Sequence, residues 1–304
     1  MLSVIIIDYP NSLQSAVHGL KELFLLANDC LEQNGSSQLF AIKILKPSDA
    51  STQEISSHIV IVPPSLGGDY YLTPEPILTA YLARAHQAGS LLCSACAGSF
   101  ILASSGLLES RQATTNWHFE KMFRQIYPDV NLDIERLLIN DGDIITAGGL
   151  MSWVDLGLEI VAKFTKPHIM RQLGKFLIVD TAKREQRYYQ SFNPPFDHGN
   201  HSIIKVQHHI QTSYQSTLNI RDLAQMAFMS ERTFLRQFFQ ITGCKPTQYI
   251  QRVRIQKACE LLENSKHSVE TITQMVGYEN ANSFRKVFHK IMGLSPSAFR
   301  ARFA

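Results

Sequence analysis

The last third of the chain repeats itself, and this limits what it can fold into more than any other feature does. Phe234-Leu-Arg-Gln-Phe238 returns as Phe284-Arg-Lys-Val-Phe288, Gly243 as Gly293, Pro246 as Pro296 and Tyr249 as Phe299, each 50 residues later. Upstream, Leu223-Ala-Gln-Met226 answers Ile272-Thr-Gln-Met275 at an offset of 49, so the second copy carries one extra residue in its turn. Each copy reads as a short helix, a tight turn and a second helix opened by a capping side chain, Ser230 in the first and Asn280 in the second. Such a pair of helices is a helix-turn-helix, whose second helix is shaped to lie in a major groove. Phe234 and Phe238, four apart, face inward, which puts Arg232 and Arg236 together on the outward face. In the second copy the same logic leaves Ala281, Asn282, Arg285 and Lys286 outside. A long helix predicted over Thr247–Leu262, spanning about 24 Å, would hold the two reading helices in successive grooves about 34 Å apart on one face of a duplex.

Charge supports a polyanion partner for this part alone. Residues 200–304 hold 14 Lys and Arg against 6 Asp and Glu, whereas residues 1–190 hold 15 against 19, so a net charge of +3 conceals a basic end and a mildly acidic remainder. A solvated basic face without a partner is the plain alternative.

The 304 residues exceed what one core usually serves, and the first part follows other periods. Val4–Ile7, Leu39–Ile42, Ile59–Val62 and Leu91–Cys93 are short apolar runs of the kind seen in strands buried on both faces. Helical periods separate them over Leu13–Glu32 and Ile77–Ala88, and further helices are expected at Ala97–Ser104, Phe119–Ile126, Val154–Phe164 and Ile169–Thr181. This alternation predicts an α/β domain, a parallel sheet sandwiched between helices, over residues 1–182. Residues 183–201, polar and interrupted by Pro194-Pro195, read as a linker, and 202–304 as the all-α tandem helix-turn-helix domain. Five sparse cysteines, no apolar stretch near membrane length and no basic leader predict a cytoplasmic protein.

Within the first domain, Leu91-Leu-Cys-Ser-Ala-Cys96-Ala-Gly-Ser runs from an apolar strand through small residues into a helix. Cys96 therefore sits at a strand-to-helix elbow, where a helix dipole lowers a thiol pKa and the amides of Ala97 and Gly98 face an anion. Cys93 belongs to the strand, so Cys93 and Cys96 read as a buried thiol beside an elbow and not as a redox pair. Neither a metal site nor a cofactor motif is present; His208-His209 read as surface residues, and Trp117 and Trp153 as core or pocket wall.

Two resemblances follow from these residues. Ser230 through Gly243, the Pro246…Tyr249…Arg254…Ala258…Leu261-Leu262 pattern, and Gly277-Tyr278…Ser283-Phe284…Gly293-Leu-Ser-Pro296 resemble the AraC/XylS family of transcription regulators. That implies contact with double-stranded promoter DNA through Arg232, Leu235 and Arg236 on one helix and Ala281, Asn282, Arg285 and Lys286 on the other, with Ser283 and Lys290 at phosphates. Residues 1–165 resemble the class I glutamine amidotransferase-like, PfpI-type superfamily, flavodoxin-like in layout, with Cys96 at the nucleophile position and Ile144–Leu150 and Trp153-Val-Asp155 as its late strand and helix. The pairing is similar to that of the GlxA-like regulators, often linked to control of amine or amino-acid catabolism. Where that superfamily commonly has His before Trp, this chain has Asn116-Trp117, and the acidic position falls near Ala16 with no carboxylate within three residues. Asn takes no proton from a thiol, so the covalent machinery is broken. His118 would point away if 116–118 were a strand. The expectation is a catalytically inactive, homodimeric regulator that senses a carboxylate or amine metabolite at Cys96, Ala97, Gly68 and Asn116, with Gly67-Gly68 offering a further amide. The alternatives are a cysteine-dependent amidase or hydrolase with an accessory helical domain, and a constitutive DNA-binding protein whose first domain only dimerises.

Overall fold

The computed structural model describes residues 1–51, 57–181, 185–192 and 194–304. The chain divides into two compact units, Met1–Gln186 and Arg187–Ala304. The boundary expected at 182/183, and Lys183, Arg184 and Asn193 of the expected linker, lie outside the described residues.

The first unit is ordered β1 (Leu2–Ile7), α1 (Gln14–Gln33), β2 (Phe40–Leu45), β3 (Ile59–Val62), α2 (Pro76–Gln87), β4 (Leu91–Ala95), α3 (Gly98–Ser104), β5 (Gln112–Ala113), α4 (Glu120–Ile126), β6 (Asn131–Leu132), β7 (Leu138–Asn140), β8 (Ile144–Ala147), α5 (Trp153–Phe164) and α6 (Pro167–Leu177). Its main sheet runs β2-β1-β3-β4-β8-β7. Ile6 pairs with Ile61 and Ile61 with Cys93, all in parallel register. The central strands are apolar throughout because both faces are covered. Ile5 and Ile7 of β1 pack with α2, α3 and α4, while Val4 and Ile6 pack with α1, α5 and α6.

Three features differ from the sequence expectation. The sheet is not wholly parallel, because β7 runs antiparallel to β8. Only three residues join these strands, and a parallel crossover needs about a dozen, so a hairpin is the one connection possible. A two-stranded sheet of β5 and β6 was not foreseen. The helix expected to reach Thr181 ends at Leu177, where Ile178 turns left-handed (φ 54°) with its side chain in solvent.

The second unit holds α7 (His201–Ser213), α8 (Ile220–Met226), α9 (Glu231–Thr242), α10 (Pro246–Asn264), α11 (Val269–Met275), α12 (Ala281–Met292) and α13 (Pro296–Phe303). The repeat is thus structural: α8 maps onto α11 at an offset of 49 and α9 onto α12 at 50. Both α9 and α12 close on a left-handed glycine, Gly243 (φ 69°) and Gly293 (φ 73°). Helix α10 serves both copies. Tyr249, Ile250 and Val253 join the core around Phe234 and Phe238, while Ile255, Ala258, Cys259 and Leu262 join the one around Phe284 and Phe288. At 19 residues it is about 28 Å long, longer than the segment read from sequence.

Candidate nucleic-acid interface and cysteine pocket

Helices α9 and α12, the second helix of each repeat, begin with the caps that the sequence announces. Ser230 Oγ accepts the Thr233 amide, and Asn280 Oδ1 accepts those of Asn282 and Ser283 at 2.8 and 3.1 Å. The two phenylalanines of each helix are fully buried, which fixes the rotation of the helix about its axis. Rotation in turn decides the outward set. Arg232, Leu235 and Arg236 are exposed on α9, as are Asn282, Ser283, Arg285, Lys286 and Lys290 on α12. Ala281 is half-buried. Leu235 is 41% exposed and Phe239, one turn on, 51%. Large apolar groups left in water on a cationic face suit thymine methyls or sugar edges. Glu270 of α11, which the sequence reading passed over, grips the Arg285 guanidinium at 2.6 Å. This pair aims an arginine whose mate in the first repeat is Leu235.

In the first unit the C-terminal ends of β1, β3 and β4 meet where the strand order reverses, the position at which open α/β sheets take ligands. Three loops leave there through left-handed residues: Asn11 (φ 62°), Gly68 (φ 69°) and Cys96 (φ 54°). A side chain on Gly68 would run into the Asn11 amide, so that loop needs its glycine. Non-glycine residues in this conformation are strained, and the surrounding bonds hold Cys96 in it. Its N–H donates to Ala147 O at 2.8 Å, and Thr115 Oγ1 donates to its carbonyl at 2.7 Å. Beneath the elbow runs a buried hydroxyl ladder: Ser94 Oγ meets Ser99 Oγ at 2.9 Å, Ser99 Oγ donates to Thr114 O, and the Thr114 amide donates to Thr146 Oγ1.

Two expectations about the elbow are corrected. Burial pushes the Cys96 thiol up to about 11, although hydrogen bonds from the Ala97 amide and the Asn116 side chain favour the thiolate. The expected dipole activation loses to desolvation, since α3 has only seven residues and the thiol is sealed in. Residues 117–119 form a 3-10 turn and not a strand, capped by Asn116 Oδ1 at the His118 amide, 3.0 Å. His118 is exposed and rests edge-on against Trp117 and Phe119. Ala16 is buried in α1, and the titratable groups coupled to the thiol are the phenols of Tyr9 and Tyr71, which burial pushes up and so keeps neutral. The Gly67 amide is already taken by Ser65 Oγ. Cys93 is buried and free, its thiol also raised by desolvation.

Residues 223–302 match the helix-turn-helix domain family and residues 41–163 the DJ-1/PfpI family. The chain is 25% identical over 227 residues to the HTH-type transcriptional regulator CdhR of Pseudomonas aeruginosa, covering 74% of this chain and 67% of that protein. It is 23% identical over 222 residues to the HTH-type transcriptional regulator GlxA of Rhizobium meliloti, covering 73% and 68%. The chain is an AraC-type transcription regulator with a DJ-1/PfpI domain.

The regulator's first unit shares its fold with a transcriptional regulator protein from Vibrio parahaemolyticus, at a TM-score of 0.51 and 21% identity over 58% of this chain and 98% of that one. Among the described residues no helix is long and apolar enough to cross a membrane, and no cluster of three or more His, Cys, Asp or Glu is placed to hold a metal. The regulator places the Asn116 side chain beside the Cys96 thiol, with Ala97 adjacent, while Gly68 stands on the neighbouring loop beside Asn11. The sequence reading missed Tyr9 and Tyr71 at this pocket, because aromatic residues after an apolar run look like core.

Proposed function

We propose that the regulator reads promoter duplex with α9 and α12 together, and that its first unit is a non-catalytic sensor. Arg232, Leu235 and Arg236 face base edges in one major groove, and Ala281, Asn282, Arg285 and Lys286 face those in the next; Ser283 and Lys290 take phosphates. Arg suits guanine O6 and N7, and Asn suits adenine N6 and N7. One observation carries this: the repeat places two buried Phe pairs so that two cationic faces point outward from helices sharing α10. The first unit, as a homodimer, takes a small metabolite bearing a carboxylate or an amine at the Cys96, Ala97, Gly68 and Asn116 loops. Its silence as an enzyme follows from a thiol raised to about 11 beside an asparagine, which lacks a base.

The test is selection of duplexes from a random pool by the full-length protein. Arg232→Ala, Arg236→Ala and Arg285→Ala should each cost about 1–3 kcal/mol on the selected duplex and relax one base position. Equal loss on every sequence would move that residue to phosphate contact. Calorimetry against carboxylates and amines tests the sensor, and Cys96-dependent turnover of an amide would overturn it.

A further inference from the structure

One polar side chain in the first unit is buried with no place in the reading above. Gln186 is 2% exposed, although it lies in a polar stretch without period, and it is the last residue before the chain passes into the helical unit. Its Nε2 lies within hydrogen-bond distance of Thr115 O (2.8 Å), Arg136 O (2.9 Å) and Thr114 Oγ1 (3.0 Å). Its Oε1 accepts the Trp117 amide at 3.2 Å, and its own amide donates to Glu135 O at 2.9 Å. Gly148 makes room for it, since any side chain there would occupy the same space.

The partners of Gln186 are the frame of the cysteine pocket. Asn116, whose side chain meets the Cys96 thiol, has a Gln186 hydrogen bond on each side of it, at Thr115 O and at Trp117 N. Both backbone anchors of Cys96 touch the same frame. Its N–H is held by Ala147, next to Gly148, and its carbonyl by Thr115 Oγ1. A ligand that shifts Asn116 must therefore strain the Gln186 contacts, and release of Gln186 must loosen Asn116.

We propose that Gln186 is a positioning residue that couples occupancy of the Cys96 pocket to the point where the chain leaves the first unit. The proposal rests on the sensor reading above and adds the means by which sensing reaches the connection. Energetic coupling of this kind is reciprocal, so it can be read from either end.

The experiment uses the full-length protein and iodoacetate, which places a carboxylate on Cys96; Cys30, Cys93, Cys244 and Cys259 are followed as separate peptides by mass spectrometry. The titratable groups facing the thiol are Tyr9 and Tyr71. Gln186→Ala, by loosening Asn116, withdraws a hydrogen bond that favours the thiolate and should move the pH profile of Cys96 carboxymethylation upward, lowering its rate at pH 8 about tenfold, the effect of one unit in thiol pKa. Gln186→Glu keeps the acceptor for Trp117, loses the amide donors and should move the profile the same way. Asn28→Ala is the control for general loosening, because Asn28 is equally buried and bonds Leu39 and Phe40, away from the pocket. Its profile should match that of the wild type. From the other end, carboxymethylated wild-type protein should exchange the Trp117 and Gln186 amide hydrogens about tenfold faster than the unmodified protein. This arm needs no variant to fold. Coincident profiles for Gln186→Ala and wild type, an equal shift in Asn28→Ala, or unchanged exchange after carboxymethylation would each overturn the proposal. Neither arm involves DNA or a metabolite, so failure to select a duplex or to bind a carboxylate or amine would sink the parent reading separately.

Discussion

Asn116→His is the substitution that most directly questions the silence of the elbow. With the Cys96 thiol at about 11, the thiolate fraction at pH 7 is about one part in ten thousand. Asn116 already reaches the sulfur, so an imidazolium at that position would stand within about 4–6 Å, where an opposite charge lowers a pKa by about 1–3 units. While the imidazole keeps its proton, near neutral pH, the paired thiolate fraction would rise by up to about 100-fold, whereas above about pH 8 the imidazole is neutral and the profile returns toward that of the wild type. The assay is the rate of iodoacetamide alkylation of Cys96 from pH 6 to 11, followed by mass spectrometry in the wild type and the variant. A wild-type profile with its midpoint below about pH 8 would refute the claim that desolvation dominates. An unmoved profile in the variant would refute the claim that residue 116 governs the thiol.

Three further outcomes follow from the same geometry. The Cys96 thiol is raised on folding, so the stability it contributes is whole below about pH 9 and is lost as pH climbs through about 11. Two units correspond to about 3 kcal/mol, and Cys96→Ala should flatten that part of a urea-midpoint profile against pH. Phe284→Ala empties a fully buried site shared with Phe288 and Tyr278 and should cost about 3–5 kcal/mol, measured by denaturant unfolding of the second unit's signal. Glu270→Gln frees Arg285 and removes a negative charge from the reading face. Affinity for unrelated duplexes should rise while discrimination at one base position falls, as seen by competition binding.

Much of the fold was legible because the strands are buried on both sides. β1, β3 and β4 must be continuous apolar runs, and Ile59–Val62 has the same limits in the sequence and the structure. The second unit was clearer still, since a repeat shows which positions are equivalent. Its caps at Ser230 and Asn280 and its inward phenylalanines all emerged from spacing. Illegible elements were those whose cause is not periodic. β7 has three residues, too few for a period, and follows from the shortness of its loop. The end of α6 depends on one left-handed residue, Ile178, which the apolar pattern runs straight through. At the pocket, Cys96 and Asn116 could be placed from their motif, but the sign of the thiol's shift could not. It depends on how completely the surrounding loops exclude water. Gln186 carries no sign of burial in its sequence, because a buried glutamine is defined only by partners 50 to 72 residues away.

The central claim is that one chain presents two reading helices to two consecutive major grooves. Hydroxyl-radical footprinting of the full-length protein on a selected duplex tests it most directly. Two protected patches on the same side of the DNA, separated by about one helical turn of 10 base pairs, are the predicted result, and Arg285→Ala should weaken only one of them. A single patch, or protection that follows ionic strength but no sequence, would contradict the account.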